Sequence, residues 1–143
     1  MKKIWWVALI AAAVIFVIMA VIVAVNVFEH MFPMAEPIRL PDSQVVTEIF
    51  AQAKGGERKA VDVTELDKIL DKLRNAEPTR IWSVNDYPTV TEYYVLEIET
   101  PEDRAYRYFV YRENARIYIE SPYDGIYETD ESFFELISSY LLN

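Results

Sequence analysis

The residues able to do chemistry in this chain are carboxylates and tyrosines, and the missing types narrow the reactions. There is no cysteine, so a disulfide framework, a thiolate nucleophile and a thiolate metal site are all excluded. The single histidine, His30, stands at the end of a long apolar run, so a histidine-based triad or a histidine-rich metal site cannot be assembled in the rest of the chain. Paired carboxylates would suffice for glycoside hydrolysis. With 23 acidic residues some pair always looks suggestive, and Glu97 and Glu99, alternating onto one strand face, read as solvated. Asp124-Gly125 and Asp130-Glu131 lack the dense Asp-x-Asp-x-Asp-Gly spacing of a calcium loop. The reading is therefore non-enzymatic, with no catalytic residue, metal or cofactor assigned.

Two segments combine proline, an Asx residue and tyrosine, a composition that makes defined turns while displaying amphipathic rings. They are Ser83-Val84-Asn85-Asp86-Tyr87-Pro88 and Ser121-Pro122-Tyr123-Asp124-Gly125-Ile126-Tyr127. The first lies in a link of roughly 12 residues, longer than most connections in compact domains. Asn85, Asp86, Tyr87, Tyr123, Asp124 and Tyr127 are the candidate binding surface. About 36 residues separate the two groups. Between them a three-strand meander is expected, whose entrance and exit lie at opposite ends, so a shared surface requires the first loop to fold back along the sheet.

The elements that must position these loops follow from periodicity. Residues 45–53 read as a strand, Lys54-Gly55-Gly56-Glu57 as a hairpin turn, and 58–61 as a short return strand. Asp62 and Glu65 make a capping-box-like start to a helix carrying Val63, Leu66, Ile69, Leu70 and Leu73, which Ala76 and Pro78 end. Strands at 92–100, 105–112 and 116–120 follow, the first two joined by a turn at Pro101-Glu102-Asp103. Tyr94, Leu96 and Ile98 face one side there, Glu97 and Glu99 the other. Phe133, Phe134, Ile137, Tyr140 and Leu141 give a closing amphipathic helix over 130–142. The expected fold class is α+β: a mainly antiparallel sheet of about five strands with two helices on one face, preceded by a transmembrane helix.

That first helix comes from Ile4 to Phe28, a run without charge in which Asn26 is the polar interruption. Twenty-five residues at about 1.5 Å each reach roughly 37 Å, against a hydrocarbon core of about 30 Å. The run is too long for a signal peptide and no small-x-small cleavage site follows, so a retained signal anchor is expected. Trp5 and Trp6 suit one interface, Phe28, His30 and Phe32 the other. Lys2 and Lys3 precede the run, and the next basic residue is Arg39, which puts the N-terminus in the cytoplasm and the remainder outside. The expected divisions are 1–28 as stub and anchor, 29–41 as a stiff tether carrying Pro33, Pro37 and Pro41, and 42–143 as the extracytoplasmic domain.

All 23 acidic residues but only 12 of the 14 basic ones follow the apolar run, leaving that part with an excess of 11 negative charges. Such a domain is a poor nucleic-acid binder, and a cationic partner is its natural complement.

The anchor, the order strand, strand, helix, three strands, helix, and the motifs Ser83-Val84-Asn85-Asp86-Tyr87-Pro88 and Tyr118-Ile119-Glu120-Ser121-Pro122-Tyr123-Asp124-Gly125-Ile126-Tyr127 together resemble a known family. With the helix of Leu66, Ile69, Leu70 and Leu73, the likeness covers roughly residues 38 to 142. The family is a set of small exported or membrane-anchored proteins of Gram-positive bacteria catalogued as a domain of unknown function. The resemblance implies class and location and carries over no catalytic residue. The expectation is a single-pass, membrane-tethered extracytoplasmic module that binds a protein or peptide. Its rivals are an envelope hydrolase or carbohydrate-binding protein with a carboxylate and aromatic cleft, and a structural subunit of a membrane complex.

Overall fold

The computed structural model describes residues 2–101 and 105–142, which form two units dividing between Met34 and Ala35. The first unit is helix α1 (Lys2–Met31), apolar around its circumference, with a candidate membrane span from Ile4 to Met31. It is long and apolar enough to cross a membrane or to serve as a signal sequence. The one polar side chain within the run is satisfied internally: Asn26 Nδ2 donates to the Ile22 carbonyl at 2.8 Å. The helix outlasts the expected limit at Phe28 by three residues, since Glu29, His30 and Met31 contain nothing that breaks it before Pro33.

The second unit is a seven-stranded antiparallel sheet with two helices. In chain order it contains β1 (Glu48–Ala53), β2 (Arg58–Val61), α2 (Leu66–Arg74), β3 (Glu77–Pro78), β4 (Tyr94–Glu99), β5 (Ala105–Glu113), β6 (Arg116–Ser121), β7 (Gly125–Thr129) and α3 (Glu131–Leu142). The spatial order is β2-β1-β4-β5-β6-β7-β3. The expected α+β class and antiparallel sheet stand, and counting α1 there are three α-helices among the described residues. The strand number of five does not stand. The segment after β6 is not an extended loop but a tight turn followed by β7, and a two-residue β3 pairs with β7 through Glu77↔Glu128 and Pro78↔Tyr127. The turn expected at Pro101-Glu102-Asp103 lies, beyond Pro101, outside the described residues.

Strand alternation sorts the side chains. Ile49, Ala51, Val61, Leu96, Ile98, Tyr108, Val110, Ile117, Ile119 and Tyr127 lie on one face and bury against Leu66, Ile69, Leu70 and Leu73 of α2 and Phe133 and Ile137 of α3. The α2 start differs in detail from a capping box. Asp62 Oδ1 accepts from Thr64 N at 2.9 Å at the head of a 3-10 turn, while the Glu65 carboxylate accepts from Tyr140 OH at 2.8 Å and ties α2 to α3. Asp130 caps α3 through Phe133 N at 3.0 Å and pairs with Lys72 at the end of α2.

The opposite face is not uniformly solvated, as a sheet covered on one side would be. Toward β1 and β4 it carries the ion pairs Arg58–Glu97, Arg58–Glu99 and Arg107–Glu97, in which the arginines are exposed and the carboxylates half-buried. Over β5, β6 and β7 the link between β3 and β4 crosses the sheet and closes a second, smaller core. Phe109 and Tyr111 are buried there, with Tyr87 and Tyr93 packed on the Phe109 ring at 5.8 and 5.3 Å.

The expected tether over 29–41 is also corrected. From Ala35 onward it belongs to the folded unit: Ala35 N donates to Thr79 O at 2.8 Å, Tyr127 OH to Glu36 O at 2.8 Å and Tyr108 OH to Arg39 O at 2.5 Å. Ala35, Ile38 and Pro41 are buried. Prolines forbid a helix there, but an extended strap with outward carbonyls is compatible with them, and two buried tyrosine hydroxyls need those carbonyls.

Candidate functional site

The two loops singled out by composition meet. β6 ends at Ser121, and Asp124 N donates back to Ser121 O at 3.1 Å, closing a turn with Pro122 and Tyr123 at its corners. Pro122 pre-sets the first corner. Tyr123 takes the second at a φ of +63°, a left-handed conformation that costs a bulky residue about 1–2 kcal/mol. Its ring is 63% exposed and its hydroxyl donates to Asp86 Oδ1 at 2.6 Å. That hydrogen bond first, and then desolvation and the Asp86 charge, raise the Tyr123 pKa above the usual phenol value. The long link reaches this point because it returns across the outer face of the sheet, as a shared surface requires.

Around the contact lies an open groove of about 500 Å³ lined by Arg39, Asp86, Tyr106, Arg107, Ser121 and Asp124 among others. Asp124 accepts from Ser121 Oγ at 3.0 Å and pairs with Arg39 at 3.3 Å, so it is tied to the strap. On the other side of the link a smaller cavity of about 230 Å³ is lined by Trp82, Val84, Asn85, Tyr111, Tyr118 and Glu120, with further link residues.

The six sequence candidates thus divide. Asp86, Tyr123 and Asp124 gather at the groove, Asn85 lines the neighbouring cavity, and Tyr87 is exposed while its ring leans on Phe109. Tyr127 is corrected: at 1% exposure it is a core residue, and burial raises its pKa. It faces inward because β7, read as loop, alternates.

Sequence reasoning missed Arg39, placed in a tether, and the exposed apolar run Ile81, Trp82 and Val84. It also missed the buried set of Ser83, Tyr111 and Glu120. Ser83 Oγ donates to Glu120 Oε1 at 2.6 Å and Tyr111 OH approaches Oε2 at 3.4 Å. Burial first, and then the charges of Glu120 and Glu113, raise the Tyr111 pKa well above the phenol range. The available signal was Glu120 itself, since strand alternation puts it beside Phe109 on the outer face. Among the described residues no group of three or more His, Asp or Glu is placed to hold a metal ion.

Residues 34–128 match the model of the DUF5301 family, described as "Domain of unknown function (DUF5300)". Among solved structures, an NMR structure of a protein from Ruminococcus gnavus is similar at 32% identity, over 67% of this chain and 97% of that one, with a TM-score of 0.56. No curated protein matches.

Proposed function

The chain belongs to the DUF5301 family of unknown function, and from that premise we propose that it is a non-enzymatic, membrane-anchored module of the Gram-positive cell envelope that binds a protein or peptide partner outside the cell. α1 is the retained anchor in this reading, with Lys2 and Lys3 on the cytoplasmic side. The observation that carries it is Tyr123. A bulky residue holds a left-handed backbone while leaving its ring in water, and only its hydroxyl is engaged, by a loop far away in sequence. Strain kept at an exposed aromatic is the mark of a displayed side chain rather than a packed one. Tyr87, Trp82 and Val84 extend the same loop's exposed apolar surface.

The rival reading, a carboxylate and aromatic cleft for carbohydrate, would draw on the same groove. Its two carboxylates are already engaged, Asp86 by Tyr123 and Asp124 by Arg39 and Ser121, which favours a docking surface over a pair of acids free to move protons.

The test is chemical cross-linking in intact cells. Tyr123→Ala combined with Trp82→Ala should abolish a discrete adduct seen with the wild-type chain, while the melting temperature changes by less than about 3 °C, since both rings are at least half exposed. An adduct that survives in the double variant contradicts the proposal.

A further inference from the structure

The cavity beside the link has a largely buried carboxylate in its lining. Glu120 is 5% exposed, and the donors set against it, the Ser83 and Tyr111 hydroxyls, are neutral. An ionised carboxylate accepts about four hydrogen bonds, so acceptor capacity remains, and a hydroxyl supplies a dipole but no compensating charge. Tyr111 and Tyr118 are register partners on adjacent strands, their rings 5.9 Å apart beside that carboxylate. Glu113 adds a second negative charge to the lining, and Ile81, Val90 and Ile126 supply apolar wall. Arg116, on the same face of β6, is held by Glu128 at 3.1 Å.

Together these features describe a receptor for a cation on an apolar stem. Tyrosine faces attract cations, a buried carboxylate gains from a counter-charge, and the excess of 11 negative charges beyond the apolar run favours approach of a basic partner. The volume of about 230 Å³ admits one side chain rather than a folded element. The two hydroxyl contacts fall on different oxygens of Glu120, which spoils the paired face a guanidinium fork needs but leaves room for a compact three-donor ammonium. We propose that this cavity receives the side-chain ammonium of a lysine on the partner, its four-carbon stem lying along Ile81, Val90 and Ile126. The inference gives the partner of the same loop a chemistry, and so rests on the protein-binding reading.

The experiment uses the full chain in zwitterionic lipid nanodiscs, titrated with Nα-acetyl-lysine methylamide while aromatic NMR resonances are followed. Resonances of Tyr111 and Tyr118 should move saturably, and the Nε-acetylated analogue, which lacks the charge, should bind at least tenfold more weakly, as should the arginine counterpart. Glu120→Gln, which keeps shape and hydrogen-bond acceptance, should weaken lysine binding at least tenfold. Equal shifts with the acetylated analogue, or none with the lysine probe, overturn the inference. If Glu120→Gln unfolds the domain, the comparison of probes on the wild-type chain decides by itself. A wild-type chain that keeps its cross-linked partner but ignores the lysine probe overturns this inference alone. Lysine binding without any cross-linked partner overturns instead the protein-binding reading beneath it.

Discussion

Asn114 and Ala115 both hold positive φ, 50° and 62°, in the two-residue turn joining β5 to β6. The mirror-image turn that matches strand twist demands this, and asparagine followed by glycine is its preferred pair. Ala115 therefore carries strain that glycine would not, and Ala115→Gly is expected to stabilise the domain by about 0.5–1 kcal/mol, read as a higher denaturant midpoint at unchanged slope. Ionisable residues give a second expectation. Burial raises the pKa of Tyr108, Tyr111 and Tyr140 above the phenol value, so the folded state holds their protons more tightly than the unfolded chain. Their contribution is fully present below pH about 10 and is lost as pH rises beyond it. Asp62 and Asp130 are lowered, the first chiefly by the Thr64 backbone N–H and the second chiefly by the Ser132 hydroxyl. Their contribution is present above the carboxylate range and is lost as pH falls below about 4. Urea midpoints measured from pH 3 to 11 should fall at both ends, and Tyr111→Phe should flatten the alkaline limb.

The elements legible in the sequence are those whose signal is local. Leu66, Ile69, Leu70 and Leu73 recur at helical spacing and are buried, and Gly55, at a φ of +71°, turns the first hairpin where the glycine pair stands. The elements not legible are fixed by partners far away in the chain. β3 is two residues, one of them proline, and exists because β7 offers an edge; β7 was hidden because its turn uses tyrosine where glycine would have signalled a positive φ. The strap from Ala35 was hidden for the same kind of reason. Its seat depends on Gly125, where a Cβ would fall 2.6 Å from that of Ala35. Gly125→Ala should push the strap away at a cost of about 1–3 kcal/mol. Hydrogen exchange should then accelerate at the Ala35 amide, which bonds to Thr79, while the Val110 and Ile119 amides of the central strands keep their relative protection. Unchanged exchange at Ala35 would mean the strap is not held there.

For the molecule as a whole, two compositions share one chain: an apolar helix fit to cross a membrane and an acidic, aromatic-rich α+β unit with its own core. Composition made that division legible, and the turn chemistry of 83–88 and 121–127 pointed to the loops that meet. Which tyrosine would be displayed and which buried was not legible, because Tyr123 and Tyr127 differ by the register of a strand that pairing alone creates. The absence of native cysteine allows one labelling measurement to test location and occupancy together. Tyr123→Cys on the proposed surface and Asp67→Cys on the exposed side of α2 are treated with a membrane-impermeant maleimide, in intact cells and as purified protein. Position 67 should label equally well in both, whereas position 123 should label rapidly when purified and at least several-fold more slowly in cells, where the partner covers it. Labelling of position 67 only after lysis, or equal rates at position 123 in cells and in isolation, would contradict the proposal.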